Sequence, residues 1–252
     1  MTGEHQGMTH EERLAIAQEI SRRILETYGE AVLAVYITSS TAKALDRAHS
    51  DLEVTAVVQD GMEIEAKSYV YRGILIDIDY PEESKLLRAA LRVTHKWPIE
   101  ADGYRSRLVL FERAGWLGRL DEAVAEGDAA DITRPLQRGT TSLIENRDKV
   151  RNARLAGDAM DIRANGFWTA YAAAILVLLL NRRYMITSSW LYRQAFECPE
   201  QPQDFRRLVE VLVGVVSAST DEVAEAVERL CGDLLGMVRS RGITVESDEL
   251  IV

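Results

Sequence analysis

Cysteine is scarce in this chain, with two in 252 residues, Cys198 and Cys231. They lie far apart and fit no metal-ligand or disulfide spacing, so a reducing cytoplasm is the expected compartment. Long apolar runs are equally lacking. The longest, Phe167 to Leu180 (FWTAYAAAILVLLL), has 14 residues and is followed by Asn-Arg-Arg. That is short of the ~20 residues needed to cross a bilayer, so it reads as a buried helix and no membrane partner is expected. The N-terminus carries no basic segment followed by an apolar run and a cleavage site, which gives no expectation of export, and Met1 to Gly7 read as an unstructured lead-in. Positive charge is in deficit: 30 Lys and Arg stand against 40 Asp and Glu, a formal net charge of −10 at pH 7. That balance, with no basic-aromatic groove in view, argues against nucleic acid as the main partner and for a cationic one.

What is present describes an ordinary globular protein, 28% charged and 47% apolar, long enough for two compact units. Thr9 with Glu12 three residues on forms a capping-box signature, Gly29 is placed to end the helix, and Ile16, Ala17, Ile20 and Ile24 share one face of it. Strand signals follow at Ala31 to Thr38, Leu52 to Val58, Ile74 to Tyr80 and Arg107 to Phe111, with a helical pattern over Glu82 to Leu91. After about Gly127 the strand signals nearly vanish. Helices are expected over Pro135 to Ala156, Asp161 to Arg182, Ser188 to Phe196, Gln203 to Ser217 and Asp221 to Arg241, the last with a capping box at Ser219 and Glu222 and a stop at Gly242. There are no repeats. The expected architecture is α+β: a mixed-sheet domain over 1–127 and an all-α domain over 128–252.

The stretch Val35 to Val54 (VYITSSTAKALDRAHSDLEV) breaks from an apolar strand into a Thr-Ser-Ser-Thr run and resumes as a strand carrying Asp51 and Glu53. Alternate residues of a strand point to one side, so these two acids project together, roughly 7 Å apart. The strand ILIDIDY repeats the pattern with Asp77 and Asp79. From Asp51 to Glu83 nine acids face two bases, 2 − 9 = −7 of the chain's −10. Such density favours a bound cation, because converging carboxylates are hard oxygen ligands suited to Mg²⁺. The plainer reading is a half-exposed strand with acids on its wet face. Ser39, Ser40 and Thr41 directly follow a strand end, with Lys43 nearby, and their N–H and hydroxyl groups suit a phosphate. The plainer reading there is a polar turn.

In combination these features resemble the nucleotidyltransferase superfamily of DNA polymerase beta type, whose signature is a strand, a Gly-Ser or Gly-Gly turn, about ten residues and an acid-x-acid strand. More narrowly, the chain resembles the kanamycin nucleotidyltransferase family of aminoglycoside 4′-O-nucleotidyltransferases. The segments that carry this likeness are MTHEERLAIAQEI at Met8, TYGEAVLAVYITSS at Thr27, SDLEV at Ser50, WP at Trp97 and LIENRDKVRNAR at Leu143.

The resemblance implies a role for each matching position. Ser40 is expected at the phosphate, with Lys43 at the turn's basic position, Asp51 and Glu53 as metal ligands and Asp77 on the substrate side. Glu145 is implied as the general base that touches the acceptor, and Lys149 as a phosphate contact. Without the resemblance, Glu145 and Lys149 read as an i, i+4 surface ion pair. One position departs from the pattern, since Ser39 stands where the family has its turn glycine.

The implied activity is transfer of AMP from Mg-ATP to the 4′-hydroxyl of an aminoglycoside such as kanamycin, tobramycin or amikacin, which would confer antibiotic resistance. Aminoglycosides are polycations, and the acidic surface around Glu63, Glu65, Asp77 and Asp79 suits them. A cytoplasmic homodimer with active sites shared between subunits is expected. The rival readings are a non-catalytic nucleotidyltransferase-like interaction module and a nucleotidyltransferase for another substrate.

Overall fold

The computed structural model describes residues 7–247, 249 and 250. Apart from Gly7, the lead-in expected over Met1 to Gly7 lies outside the described residues. The chain divides into two compact units, one running up to Arg92 and resuming over Glu100–Ala130, the other comprising Val93–Ile99 and the chain from Asp131 onward.

The first unit opens with α1 (His10–Tyr28). The Thr9 hydroxyl accepts from the Glu12 N–H at 3.2 Å and the Glu12 carboxylate accepts from the Thr9 N–H at 2.9 Å, which satisfies two otherwise orphaned donors. Gly29, at φ +51°, ends the helix. The face that α1 buries is Arg13, Ala17, Ile20 and Ile24. Ile16, expected on that face, is only half-buried.

Next come β1 (Val32–Ile37), the single turn α2 (Ser39–Ala42), β2 (Leu52–Val58), β3 (Lys67–Tyr71), β4 (Ile74–Asp79), α3 (Glu83–Leu91), the short turns α4 (Trp97–Glu100), most of which belongs to the second unit, and α5 (Asp102–Arg105), β5 (Leu108–Glu112) and α6 (Trp116–Ala129). The sheet order is β3-β4-β2-β1-β5, with β2 and β4 parallel and the other neighbours antiparallel. The sheet is therefore mixed, as expected.

Alternation along the strands divides the two faces. Val35, Ile37, Leu52, Val54, Ile76 and Ile78 pack with Ile20 and Ile24 in one core layer. Ala34, Tyr36 and Val57 pack on the opposite side with Ala90, Trp116, Leu120 and Val124. At Gly127 an added Cβ would lie 2.4 Å from the carbonyl oxygen of Ala90, so α6 meets the end of α3 at a separation only glycine permits. The second layer covers part of its face. Glu53, Thr55 and Asp77 remain half-buried there and Asp79 is exposed.

The second unit is helical: α7 (Thr133–Ala156), α8 (Ala159–Leu180), α9 (Leu191–Phe196), α10 (Phe205–Leu212) and α11 (Thr220–Arg239). Asp158 caps α8, accepting from the N–H groups of Met160 and Asp161 at 3.0 Å each. By length and composition α8 could cross a membrane, but most of it is buried against the neighbouring helices α7, α10 and α11 of its own unit. The expected capping box of α11 is present, and its stripe Val223, Val227, Leu230, Leu234 and Val238 is buried. Full burial of such a side chain contributes about 1.5–3 kcal/mol, which is what holds this helix to the bundle.

Candidate active site

The turn between β1 and β2 is built on Ser39, whose φ of +56° lies in the left-handed region that favours glycine. From there the Ser39 hydroxyl donates a short hydrogen bond to Oε2 of Glu53. Thr38 joins the same carboxylate oxygen through its hydroxyl at 3.3 Å, while its N–H donates to the Glu53 carbonyl at 3.2 Å. Backbone and side chains thus fasten the turn to the strand that carries the acids.

Across the parallel β2–β4 pairing Glu53 stands beside Asp77, and Thr55 beside Asp79. Asp51, Glu53, Asp77 and Asp79 therefore share the sheet face that the sequence alternation predicts. Burial pushes the Glu53 carboxyl above its ordinary range; the Ser39 hydrogen bond offsets part of this, and the nearby charge of Asp51 and, more weakly, of Asp77 adds to it. A cavity of about 460 Å³ opens beside these residues, lined in part by Tyr36, Thr38, Glu53, Thr55, Asp79 and Tyr104.

The remaining expected residues are dispersed. Ser40 lies half-buried in the turn, and its hydroxyl makes no hydrogen bond among the described residues. Lys43 turns its ammonium to Asp102, a buried carboxylate on α5 that no sequence signal distinguishes. The other oxygen of Asp102 is buried without a partner. Glu63, at φ +40°, and Glu65 are exposed on the segment between β2 and β3. In the helical unit, Glu145 and Lys149 form the i, i+4 pair on α7 at 2.8 Å, both well exposed. That hydrogen bond, reinforced by the charge of Lys149, holds the Glu145 carboxyl below its ordinary range.

The donor set fits a hard divalent cation of the Mg²⁺ kind. Asp51 and Glu53 supply carboxylate oxygens whose mutual repulsion a cation relieves, with Asp77 on the next strand. Among the described residues no three such side chains close around one point.

A mixed sheet with a hydroxyl turn and an acid-x-acid strand, joined by a helical unit, is the arrangement that the resemblance to nucleotidyltransferases implies. The comparisons with known proteins agree and narrow the class. Residues 140–244 match the KNTase C-terminal domain family. Two proteins named aminoglycoside nucleotidyltransferase (4′), from Staphylococcus aureus and from a Bacillus species, are each 23% identical to this chain over 245 residues, covering 97% of both partners. A nucleotidyltransferase-like protein from Exiguobacterium sibiricum 255-15 shares the fold at a TM-score of 0.53 and 15% identity, covering 89% of this chain and 75% of its own. The resemblance to the kanamycin nucleotidyltransferase family that the sequence motifs carry is thereby borne out.

Proposed function

We propose that the chain is an aminoglycoside nucleotidyltransferase that transfers AMP from Mg-ATP to the 4′-hydroxyl of an aminoglycoside such as kanamycin, tobramycin or amikacin, giving resistance. The observation that carries the reading is the Asp51, Glu53 and Asp77 group beside the Ser39–Ser40 turn. The full-length likeness to proteins named for 4′ transfer supports the acceptor class.

In this reading Asp51 and Glu53 would hold Mg²⁺, which when bound would supply charge neutralisation at the triphosphate. Ser40 and the turn N–H groups bind phosphate oxygens, with Lys43 and Lys149 contributing positive charge. Glu145 takes the proton from the acceptor hydroxyl. That oxygen bonds to the α-phosphorus as the bond to the departing pyrophosphate breaks, so the charges and atoms balance. Glu145 is deprotonated at neutral pH, as a base must be, and the hydrogen bond from Lys149 that holds its carboxyl below the ordinary range keeps it so at the expense of basicity. Asp77, Asp79, Glu63 and Glu65 receive the acceptor's ammonium groups, with the cavity beside Glu53 as the seat of one ring.

The enzyme works as a homodimer whose sites are each shared between subunits. The exposed pair Phe167 and Trp168 on α8, packed edge to face at 5.5 Å, supports an apolar contact there. Its setting is the cytoplasm, where Cys198 and Cys231, both buried and free, stay reduced. A thermal-shift series with ATP and Mg²⁺, with and without kanamycin, tests the reading: a catalytic enzyme responds to both ligands together and yields adenylylated kanamycin by mass spectrometry. A protein indifferent to both is an interaction module.

A further inference from the structure

We infer that Ser39 is a positioning residue for Glu53 rather than a phosphate contact. The inference deepens the proposed function and rests on its assignment of Glu53 as a cation ligand. Three observations converge on it. First, Ser39 occupies the left-handed region at φ +56°, where a side chain is disfavoured and glycine is the unstrained choice. Second, its hydroxyl is not directed at open solvent. It donates to Oε2 of Glu53, the oxygen that Thr38 also reaches, while no other hydrogen bond to the Glu53 carboxylate is made among the described residues. Third, the main chain of Thr38 is bonded to the carbonyl of Glu53 itself, so turn and strand form one rigid knot on which the Ser39 hydroxyl is fixed.

The chemical consequence follows from the two oxygens of a carboxylate. With Oε2 occupied by two hydroxyl donors, the carboxyl group loses rotational freedom and Oε1 is presented in one orientation. A cation arriving at Asp51 then meets a second ligand whose ordering has already taken place, and the affinity lost without the hydroxyl is that of one hydrogen bond. A glycine at position 39 would relax the backbone but leave Glu53 held by the long Thr38 hydrogen bond alone.

Ser39→Ala and Ser39→Gly separate these effects, because both remove the hydroxyl and only alanine keeps the Cβ at positive φ. Mn²⁺ binding, followed by paramagnetic resonance on the whole protein without nucleotide, should weaken about 3- to 10-fold in both variants. Thermal unfolding should place Ser39→Gly above Ser39→Ala by about 2–4 °C. A double-mutant cycle of Ser39→Ala with Glu53→Gln, read by unfolding without metal, should give a non-zero coupling.

Unchanged Mn²⁺ affinity in both variants overturns the inference, as does wild-type affinity in Ser39→Gly alone, since backbone shape would then account for the loss. A zero coupling also overturns it. If the wild type takes up no Mn²⁺, the assignment of the metal ligands fails instead. In that case the cycle by itself decides whether Ser39 holds Glu53.

Discussion

Lys43 and Asp102, separated by nearly sixty residues, meet as a largely buried ion pair beside the Ser39–Ser40 turn. Under the proposed function, the ammonium assigned to phosphate is already held by a carboxylate when no nucleotide is bound. Removing one partner leaves the other buried and uncompensated. Lys43→Met should therefore destabilise the protein on the order of 3 kcal/mol, and the double variant Lys43→Met/Asp102→Asn should recover most of it. Urea denaturation checks both. Asp102→Asn alone should raise KM for the nucleotide, because the lysine is no longer aimed. Equal stability of the single and double variants would contradict the pairing.

Asp51→Asn should abolish nucleotidyl transfer and leave the fold intact. It removes a ligand charge, and it also removes part of the repulsion that raises the Glu53 carboxyl, so the melting temperature should stay level or rise. Transfer close to the wild-type rate would sink the assignment of Asp51.

The pH profile of kcat should report Glu145. Lys149 holds this carboxyl below its ordinary range, so its proton is lost early and the acid limb of the profile lies below the usual carboxylate value. The sign is fixed: a depressed carboxyl is active as a base at any higher pH and is lost only as pH falls through its lowered value. Lys149→Met should shift the limb upward while also lowering kcat through the lost phosphate contact. An acid limb that does not move in Lys149→Met would show that another group is the base.

Aminoglycoside binding should weaken steeply with salt. Asp79, Glu63 and Glu65 are exposed, and exposed charges are screened within about 8 Å at physiological ionic strength. Calorimetry at low and high salt measures the slope, and a flat response would mean that the polycation docks elsewhere.

Mixing inactive Asp51→Asn with inactive Glu145→Gln should restore activity if sites are shared. Each mixed dimer then carries one site with both lesions and one with neither, so activity should return toward half per mixed dimer. If light scattering finds dimers and a tag pull-down finds exchanged subunits, yet activity stays absent, Glu145 serves its own chain or is not the base.

Residues whose local chemistry is self-contained were the ones legible in sequence. The capping boxes at Thr9 and Ser219 need only a hydroxyl and a glutamate three positions on, and both are present. The shared face of Asp51 and Glu53 needs only strand alternation. What escaped depends on partners distant in sequence or on exposure. Lys67–Tyr71 forms the edge strand β3 with every residue exposed, so its Tyr-Val-Tyr run lacks the polar–apolar alternation of a half-buried strand, and its turn through Arg72 and Gly73 places both at positive φ. The helix Trp116–Ala129 starts after Gly115 with no side-chain cap, which leaves its beginning unmarked. Asp102 sits in a short acidic segment with nothing to suggest a partner as far off as Lys43. Val93–Ile99 joins the helical unit although both flanks belong to the other, an excursion without any compositional mark.

Arg13 is fully buried on α1, and it grips the segment between the turn and β2 at several points. Its guanidinium pairs with Asp46, which His10 also reaches at 2.7 Å, and donates to the carbonyl oxygens of Arg47 at 3.0 Å and Met8 at 3.4 Å. Two separate guanidinium nitrogens serve the carboxylate and the backbone oxygens from fixed positions, an arrangement that the compact ammonium of lysine does not reproduce. In a saturation library sorted by a folding reporter, positions 13 and 46 should accept almost nothing, whereas the exposed His49 nearby should accept nearly anything. The segment leading to Asp51 would then behave as a strap riveted to the first helix at its middle, where Asp46 and Arg47 are held.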